Sequence, residues 1–569
     1  MIRNMQRPNI NNDERYGTLG YPKGRKAYGY GYSIVDNLRY RREQGIRFLS
    51  NSSLIIPTGC DALFNLRREN LVDRTRVNKK LIHIISDINV LILAYELIKS
   101  IPGNMTPGSS LNTLDGLNLD WFKNLSKQLL AGKFQFAPAP RKYKTKPGKS
   151  TKRPLGIANP RDKIIQKAIQ LVLESIYEPS FFDNSHGFRP GRGTHTALKQ
   201  AKNLFQGVDW VIEADISKCF DTIDHSIMLT ILQKRIGCEK TLALIKRSLQ
   251  AGYIDLGQFT SSPLNTPQGS VLSPILCNIL MDQLDSYMYD LKQKFDKNTQ
   301  RKINPFPFYK RVWRQGQRIT DPAEKRKFRQ HLRSIPSKAP IDDNLRKLFY
   351  IRYADDFIVG IVGRHSDALE VRKKIHDFLG NQLHMELNLE KSKITHWRKH
   401  TFVFLGTIFK SNWLQEKWVK TLKQGGANRK IRITLPPRLS APIESLLERT
   451  VTNGFLRKSK TVYKPTSLGR IINLDHADII RYYNQVIRGI LNYYSFADNR
   501  SKLRLLVLYL RMSCALTLRK KYKLSTVAKV FKRFGTNCTC PESLLSLDNP
   551  NCKRINRFLI NPPFPDPIL

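Results

Sequence analysis

The sequence predicts a mixed α+β fold in which an antiparallel sheet carries carboxylates between helical regions. Two apolar runs, 348–351 and 357–362, flank Tyr353-Ala354-Asp355-Asp356, which is the pattern of strand, tight turn and strand. From Leu81 onward, helical and strand patterns alternate. Near the carboxyl end, apolar residues recur at helical spacing and predict a helix with a buried stripe: Leu503, Leu506, Val507, Leu510 and Cys514.

A further carboxylate ends another predicted strand. In the segment 209–221, an apolar stretch stops at Asp215 and a polar turn follows. Phosphoryl transfer by two metal ions requires carboxylates from separate elements that converge on ions about 3.5–4 Å apart, and Mg²⁺ favours oxygen ligands together with substrate phosphates. Asp215, Asp355 and Asp356 therefore predict a site for two Mg²⁺ ions. The alternative for each residue is an exposed turn carboxylate without a metal.

The charge balance indicates a polyanionic partner. The 569 residues include 96 Lys and Arg against 46 Asp and Glu, a formal net charge of +50, which a nucleic acid would neutralise. A chain of this length exceeds one hydrophobic core, so we expect at least three parts. Because 41% of the residues are apolar, a large basic enzyme fits better than a small architectural protein or a basic tail.

Neither the apolar segments nor the cysteines point to a membrane or secreted protein. The most apolar stretch, 81–98, contains Asp87, Asn89 and Glu96, so we expect a core helix there and no membrane span. The eight Cys residues lack the spacing of a disulfide framework, which favours a reducing compartment.

The order of these motifs resembles the group II intron-encoded reverse transcriptase and maturase family. The resemblance extends over about residues 104–535 and includes blocks at 104–108, 152–157, 185–192, 266–274, 387–393 and 404–406. It implies a right-hand polymerase, with fingers and a palm that holds the antiparallel catalytic sheet, followed by an α-helical thumb or maturase domain X. The short tail lacks the Cys pairs of an endonuclease domain, so we expect an organellar type without one.

Composition and resemblance together divide the chain into four parts. These are a basic, partly disordered N-terminal arm (1–75), reverse transcriptase fingers and palm (76–415), a helical thumb or domain X (430–535) and a C-terminal tail (536–569). A basic, aromatic-containing insertion interrupts the second part at 291–340 and is interpreted either as an RNA-contacting element or as a solvated loop. Loop-like composition near 424–428 marks the boundary before the third part.

The resemblance also implies roles for individual residues. Asp215 and Asp355 would bridge the two Mg²⁺ ions, with Asp356 more peripheral and Ile216 included in the metal site. The nucleotide-binding candidates are Phe220, which would crowd a 2′-hydroxyl, and Gln268, Gly269, Lys152, Arg153, Arg161 and Lys391. The RNA-binding candidates are Arg189, Arg192, Arg481, Arg488, Arg519, Lys520 and Lys521. A solvated basic surface is the alternative for any one of these cations.

The function expected from this resemblance is that of a group II intron maturase. It would bind its host intron RNA to promote folding and splicing, and it would act as an RNA-directed DNA polymerase on a DNA primer or target with deoxynucleoside triphosphates. The alternatives are a catalytically idle RNA-binding splicing factor and a different bacterial-type reverse transcriptase, such as a retron enzyme. A homodimer is compatible with this interpretation. The Lys-, Ile- and Asn-rich composition favours a mitochondrion, with a plastid or bacterial cytoplasm as alternatives.

Overall fold

The computed structural model describes residues 59–548 and 558, except 102, 105, 111, 146–151, 218, 256, 261–268, 298–306, 336–344, 389–391, 413–415, 423–427, 435 and 461. The expected arm is therefore described only from residue 59. Two nucleotide-site candidates, Gln268 and Lys391, lie outside the described residues, as does most of the loop-like segment 424–428.

The amino-terminal region is mainly helical. It contains α1 (Gly59–Val72), α2 (Leu81–Ile85), α3 (Ile88–Lys99), α4 (Leu119–Leu130), the hairpin of β1 (Ala139–Thr145) and β2 (Lys152–Gly156), and α5 (Pro160–Tyr177). The single core helix expected at 81–98 is two helices, so that expectation is wrong in this detail. The break arises because Asp87 caps α3: its side chain accepts a hydrogen bond from the backbone N–H of Asn89 at 2.7 Å.

The middle of the chain supplies the strands of the main sheet. In order come α6 (Thr194–Leu204), β3 (Trp210–Asp215), α7 (His225–Gln233), α8 (Glu239–Gln250), β4 (Tyr253–Asp255), β5 (Gln258–Thr260), α9 (Ser273–Phe295), α10 (Pro307–Gly316), α11 (Pro322–Ser334), β6 (Lys347–Tyr353), β7 (Asp356–Val362), α12 (His365–Leu383) and β8 (Lys393–His396). The described part of the basic insertion is thus largely helical and not a loop. Its solvation is not contradicted, because α11 contains no buried residue.

The main sheet has the spatial order β6-β7-β3-β8, and every pair of neighbours is antiparallel. Both of its faces are buried. Successive residues of a strand point to opposite faces of the sheet, and neighbours on β3 therefore pack in different cores. On β3, Ile212 packs in one hydrophobic core with residues of α9 and α12, whereas Val211 packs in a second core with residues of α6. The predicted α+β class with an antiparallel sheet is confirmed.

The described part of the carboxy-terminal region contains three small sheets and a helical group. Its elements are β9 (Phe402–Phe404), β10 (Thr407–Lys410), β11 (Glu416–Leu422), β12 (Asn428–Thr434), β13 (Arg438–Ser440), α13 (Ile443–Thr452), β14 (Leu456–Ser459), β15 (Val462–Pro465), α14 (His476–Tyr493), α15 (Leu503–Lys521) and α16 (Val527–Phe534). The three sheets are β13-β10-β9, β11-β12 and β14-β15. The helical stripe predicted around Leu510 is confirmed, because all five of its members are buried in α15. None of the described helices combines the length and apolar character needed to span a membrane.

Candidate active site

The structure brings the three predicted carboxylates to one edge of the main sheet. Strands β6 and β7 form a hairpin in which Tyr353 pairs with Asp356, leaving Ala354 and Asp355 in a two-residue turn. Ala354 has a φ of 56°, as such tight hairpin turns require. Asp215, the last residue of β3, pairs directly with Asp356. Like charges placed opposite each other are unfavourable, and a bound divalent cation would relieve that repulsion.

The predicted palm block at 387–393 begins beside the same edge. Ile216 forms an antiparallel bridge with Leu387, and the backbone N–H of Asn388 donates to the carbonyl oxygen of Asp215 at 2.9 Å. The Ile216 side chain is only 2% exposed. Because that side chain is apolar, only the backbone carbonyl of Ile216 could serve a metal ion.

A buried arginine holds the turn from beneath. Arg352 immediately precedes Tyr353, and neither its side chain nor that of Asp285 on α9 is exposed. The Arg352 guanidinium donates to both carboxylate oxygens of Asp285, with Nε–Oδ1 2.8 Å and Nη2–Oδ2 2.5 Å. Its Nη1 atom donates to the carbonyl oxygen of Ala354 at 3.0 Å. A bidentate, charge-assisted pair of this kind fixes both position and orientation.

The segment 185–187 packs directly on this turn. The Arg352 Nη2 atom donates to Ser185 Oγ at 2.7 Å, and Asn278 Nδ2 donates to the Gly187 carbonyl at 2.9 Å. A Cβ added at Gly187 would lie 2.3 Å from the backbone nitrogen of Ala354. Residues 185–187, at the start of the block 185–192, therefore pack against the carboxylate turn and support it.

Replacing Gly187 with Ala is expected to displace the turn, because the added methyl group has no room beside Ala354. Overpacking of this kind costs about 1–3 kcal/mol of folding free energy, and the displaced carboxylates should also slow catalysis. Thermal unfolding would measure the first effect and primer extension the second. Gly380→Ala is the matched control: its Cβ would meet nothing within 4 Å in the exposed part of α12, so its stability should not fall. Equal stability of the two variants would contradict the packing argument.

A second close approach joins the segment that begins at Gly269 to the β1–β2 hairpin. Gly269 has a φ of 115°, and a Cβ there would lie 2.4 Å from the carbonyl oxygen of Gly156 at the end of β2. The backbone N–H of Val271 donates to Gln166 Oε1 on α5 at 3.3 Å. The block containing Gly269 therefore lies against the strand whose backbone carries residues 152 and 153.

The other nucleotide candidates are partly engaged within the protein. The Phe220 ring is half-buried and packs edge-to-face on Phe188, with 6.3 Å between centroids. Phe188 is 41% exposed and has a φ of 56°. The Nε atom of Arg161 donates to the Thr113 carbonyl at 3.4 Å, and its guanidinium lies 5.8 Å from the Trp121 ring centroid.

One RNA-binding candidate is buried. The Arg189 side chain is only 4% exposed; it pairs with Glu178 at 2.9 Å and donates to the carbonyls of Phe182 and Ser185. A side chain this buried cannot reach RNA, so the expected RNA contact is wrong. The guanidinium instead supports the 185–187 segment from the inside of the protein, and the motif gave no sign of this role.

The remaining RNA-binding candidates lie nearer the surface. Arg192 pairs with Asp183 and Arg481 with Asp478, each at 2.6 Å, while Arg488 pairs with Asp548. Lys521 donates to the Leu474 carbonyl at 2.8 Å. Along the last turns of α15, Arg519 and Lys521 are half-buried and Lys520 is exposed.

Some site residues were missed by the sequence analysis. Arg352, Asp285 and Asn278 were not assigned a role, although a charged residue inside the apolar run before the Asp355 turn was a usable signal. Phe188 lies in the block 185–192 but was given no role of its own. Its contact with Phe220 could not be anticipated, because the two residues belong to separate segments.

A carboxyl near the Arg352 pair titrates in an unusual range. Removal from water, and then the charge of Asp285, raise the pKa of Asp282 to about 7, and its Oδ1 atom is buried without a hydrogen-bond partner among the described residues. In the unfolded chain this proton is lost near pH 4. Folding stability contributed by this residue therefore falls as pH rises from about 4 to about 7.

Asp282→Asn should consequently raise the melting temperature relative to the parent protein at about pH 8, and the gain should shrink towards about pH 5. Thermal unfolding across this pH range measures it. Asp290→Asn changes an exposed residue of the same helix and serves as control. A gain independent of pH would show that the Asp282 charge is not the cause.

The carboxylate set suits a metal that is also held by substrate. Among the residues that the structure describes, no three or more His, Cys, Asp or Glu side chains are arranged to hold a metal ion on their own. Mg²⁺ is usually bound through one or two carboxylates together with substrate phosphates. Half-buried Asp215 and Asp355, with exposed Asp356 beside them, fit this open kind of site.

Two known protein families match separate regions of the chain. Residues 144–409 match the family model described as reverse transcriptase (RNA-dependent DNA polymerase), a domain that depends on divalent metal ions. Residues 436–562 match the type II intron maturase family. The first match contains the carboxylate-bearing sheet, and the second contains the carboxy-terminal helices.

Individual relatives agree with this assignment. The chain is 35% identical to the COX1/OXI3 intron 1 protein of Saccharomyces cerevisiae over 90% of this chain and 61% of the yeast protein. It is 33% identical to the group II intron-encoded protein LtrA of Lactococcus lactis over 78% of this chain and 75% of LtrA. It is 24% identical to Nuclear intron maturase 2, mitochondrial, of Arabidopsis thaliana over 67% of this chain and 55% of that protein.

The chain thus spans only about three fifths of the length of the yeast relative. Its coverage of LtrA is larger, at 75% of that protein. The carboxylate turn lies in the reverse transcriptase region and the basic helices lie in the maturase region. The chain belongs to the group II intron-encoded reverse transcriptase and maturase family.

Proposed function

We propose that this protein copies RNA into DNA and binds a group II intron RNA to promote its folding and splicing. The observation that carries the polymerase activity is the direct pairing of Asp215 with Asp356 beside the Asp355 turn. That pairing gathers carboxylates from separate strands at one edge, as nucleotidyl transfer requires.

The proposed division of labour follows a right-hand polymerase. Residues 76–415 would form the fingers and palm, with the main sheet as the palm floor, and residues 430–535 would form the thumb or domain X. Asp215 and Asp355 would hold two Mg²⁺ ions, with the Ile216 carbonyl and Asp356 nearby. When bound, these ions would activate the primer 3′-hydroxyl and stabilise the leaving pyrophosphate.

Other side chains would position the incoming nucleotide. Phe220, kept in place by Phe188, would crowd a 2′-hydroxyl and so favour deoxyribose. Gly269 lets the backbone of its block lie against β2, where Lys152 and Arg153 are proposed to contact phosphate. Gln268, Lys391 and Arg161 remain proposed nucleotide contacts.

The maturase role is proposed from the carboxy-terminal region. It matches the type II intron maturase family, and the net charge of +50 favours a large polyanion. Arg192, Arg481, Arg488, Arg519, Lys520 and Lys521 are the proposed RNA contacts. The names of the yeast and Arabidopsis relatives refer to a COX1 intron and to the mitochondrion, which supports a mitochondrial location.

The test is DNA synthesis by the purified full-length chain on a primed RNA template. We expect incorporation of deoxynucleotides that requires Mg²⁺, is stopped by a chelator, and is lost in Asp355→Ala. Folded protein that binds intron RNA tightly at physiological salt but incorporates nothing would instead identify an idle splicing factor. DNA synthesis without preference for intron RNA over bulk RNA would favour a reverse transcriptase of another type.

A further inference from the structure

The hairpin of β14 and β15 carries a pair of cations that the sequence analysis did not single out. In this hairpin Arg457 lies directly opposite Lys464, and both are exposed. Side chains in directly opposite positions lie about 5 Å apart at Cβ, and like charges there repel. Among the described residues, neither cation forms an ion pair with a carboxylate.

The two faces of the hairpin differ in their environment. Leu456 is 3% exposed and marks the face that packs on the protein. Lys458 shares that face: its Nζ atom lies 3.5 Å from Glu448 and 5.6 Å from the Tyr463 ring centroid. Since side chains alternate along a strand, Arg457 and Lys464 point to the opposite, solvent-facing side. A third cation, Lys460, is exposed near the tip.

The hairpin is firmly attached to the helices behind it. Phe455, just before β14, is 1% exposed. At the other end, the Thr466 backbone N–H donates to the Phe455 carbonyl at 2.9 Å, and Ser513 Oγ on α15 donates to the Thr466 carbonyl at 2.6 Å. The fold therefore fixes the backbone positions from which the two cations project.

We propose that the solvent-facing side of this hairpin binds the sugar–phosphate backbone of structured RNA. Phosphates would turn the repulsion between Arg457 and Lys464 into attraction to a shared anion. The outward face also holds Ser459 and Val462 but no aromatic residue on which an unpaired base could stack. A double-helical backbone therefore fits this face better than a single strand. The inference rests on the proposed intron-RNA function and names one surface that serves it.

The experiment compares two lysines of the same hairpin in the full-length protein. Binding of a labelled RNA duplex of about 20 base pairs is measured between about 50 and about 200 mM salt. Lys464→Ala should weaken binding severalfold and lower the slope of log affinity against log salt by about one. Lys458→Ala removes the same charge from the packed face and should change neither quantity. Equal effects of the two variants, or none with Lys464→Ala, would overturn the proposal.

Two further measurements remove the remaining ambiguities. Lys464→Glu should bind the duplex more weakly than Lys464→Ala does. Its melting temperature should equal or exceed that of the parent protein, because an attraction to Arg457 replaces a repulsion. A lower melting temperature would contradict the repulsion between Arg457 and Lys464. Losses seen with single-stranded RNA of the same length but not with the duplex would overturn the choice of structured RNA. Asp355→Asn, which is expected to stop DNA synthesis, should leave binding of the duplex unchanged. The hairpin and the polymerase can thus fail independently.

Discussion

Replacing Asp355 with Asn is expected to slow DNA synthesis on a primed RNA template by about a thousandfold or more. The substitution keeps the shape of the side chain but removes the charge that would hold a metal ion beside Asp215. Metal ions in such sites supply several kcal/mol of transition-state stabilisation, and about 4 kcal/mol corresponds to three orders of magnitude in rate. Single-turnover incorporation of one nucleotide measures the change without interference from product release.

Two companion variants make the Asp355 result interpretable. Asp356→Asn alters the exposed neighbour and should cost less, whereas Asp290→Asn on α9 should leave the rate unchanged. The melting temperature of Asp355→Asn should not fall, because the substitution relieves repulsion between nearby carboxylates. A rate within about tenfold of the parent protein, in a folded variant, would show that Asp355 is not a metal ligand.

Replacing Arg352 with Gln is expected to lower the free energy of unfolding by about 3–5 kcal/mol, because it leaves the fully buried Asp285 carboxylate without a positively charged partner. It also removes the hydrogen bond to the Ala354 carbonyl that positions the turn. Chemical denaturation measures the stability loss. In conditions where the variant is still folded, DNA synthesis should also be slower.

The matched control for Arg352 is an exposed ion pair of similar length. Arg481 pairs with Asp478 at 2.6 Å, with side chains 60% and 47% exposed, so Arg481→Gln should cost at most about 1 kcal/mol. Adding Asp285→Asn to Arg352→Gln should recover part of the lost stability, since the unpaired charge is then removed. A similar small loss in Arg352→Gln and Arg481→Gln would mean that the buried pair does not support the turn.

The sheet and its carboxylates could be predicted because their signals are local. The continuous apolar runs on either side of Tyr353 to Asp356, and the polar turn after Asp215, indicate strands and turns by themselves. The pairing of Asp215 with Asp356 then follows once these strands are neighbours. The helical spacing of apolar residues around Leu510 was also a local signal, and the structure confirms the helix that it predicted.

The support beneath the turn could not be predicted in the same way. Arg352 meets Asp285 across 67 positions of sequence and Ser185 across 167, and such a pair is recognisable only when both side chains are seen to be buried. The role of Arg189 was misassigned for the same reason: an arginine in a basic motif looks available for RNA until its burial is known. The opposed cations of the β14–β15 hairpin depend on strand register, which the sequence does not display.

The measurement that tests the central claim most directly is the binding of Mn²⁺, in place of Mg²⁺, to the protein with primer–template and an unreactive deoxynucleotide analogue. Electron paramagnetic resonance would count the bound ions. We expect about two per parent protein and a clear loss in Asp355→Asn. Equal Mn²⁺ binding by the parent protein and the variant would contradict the proposal that Asp215 and Asp355 act by holding metal.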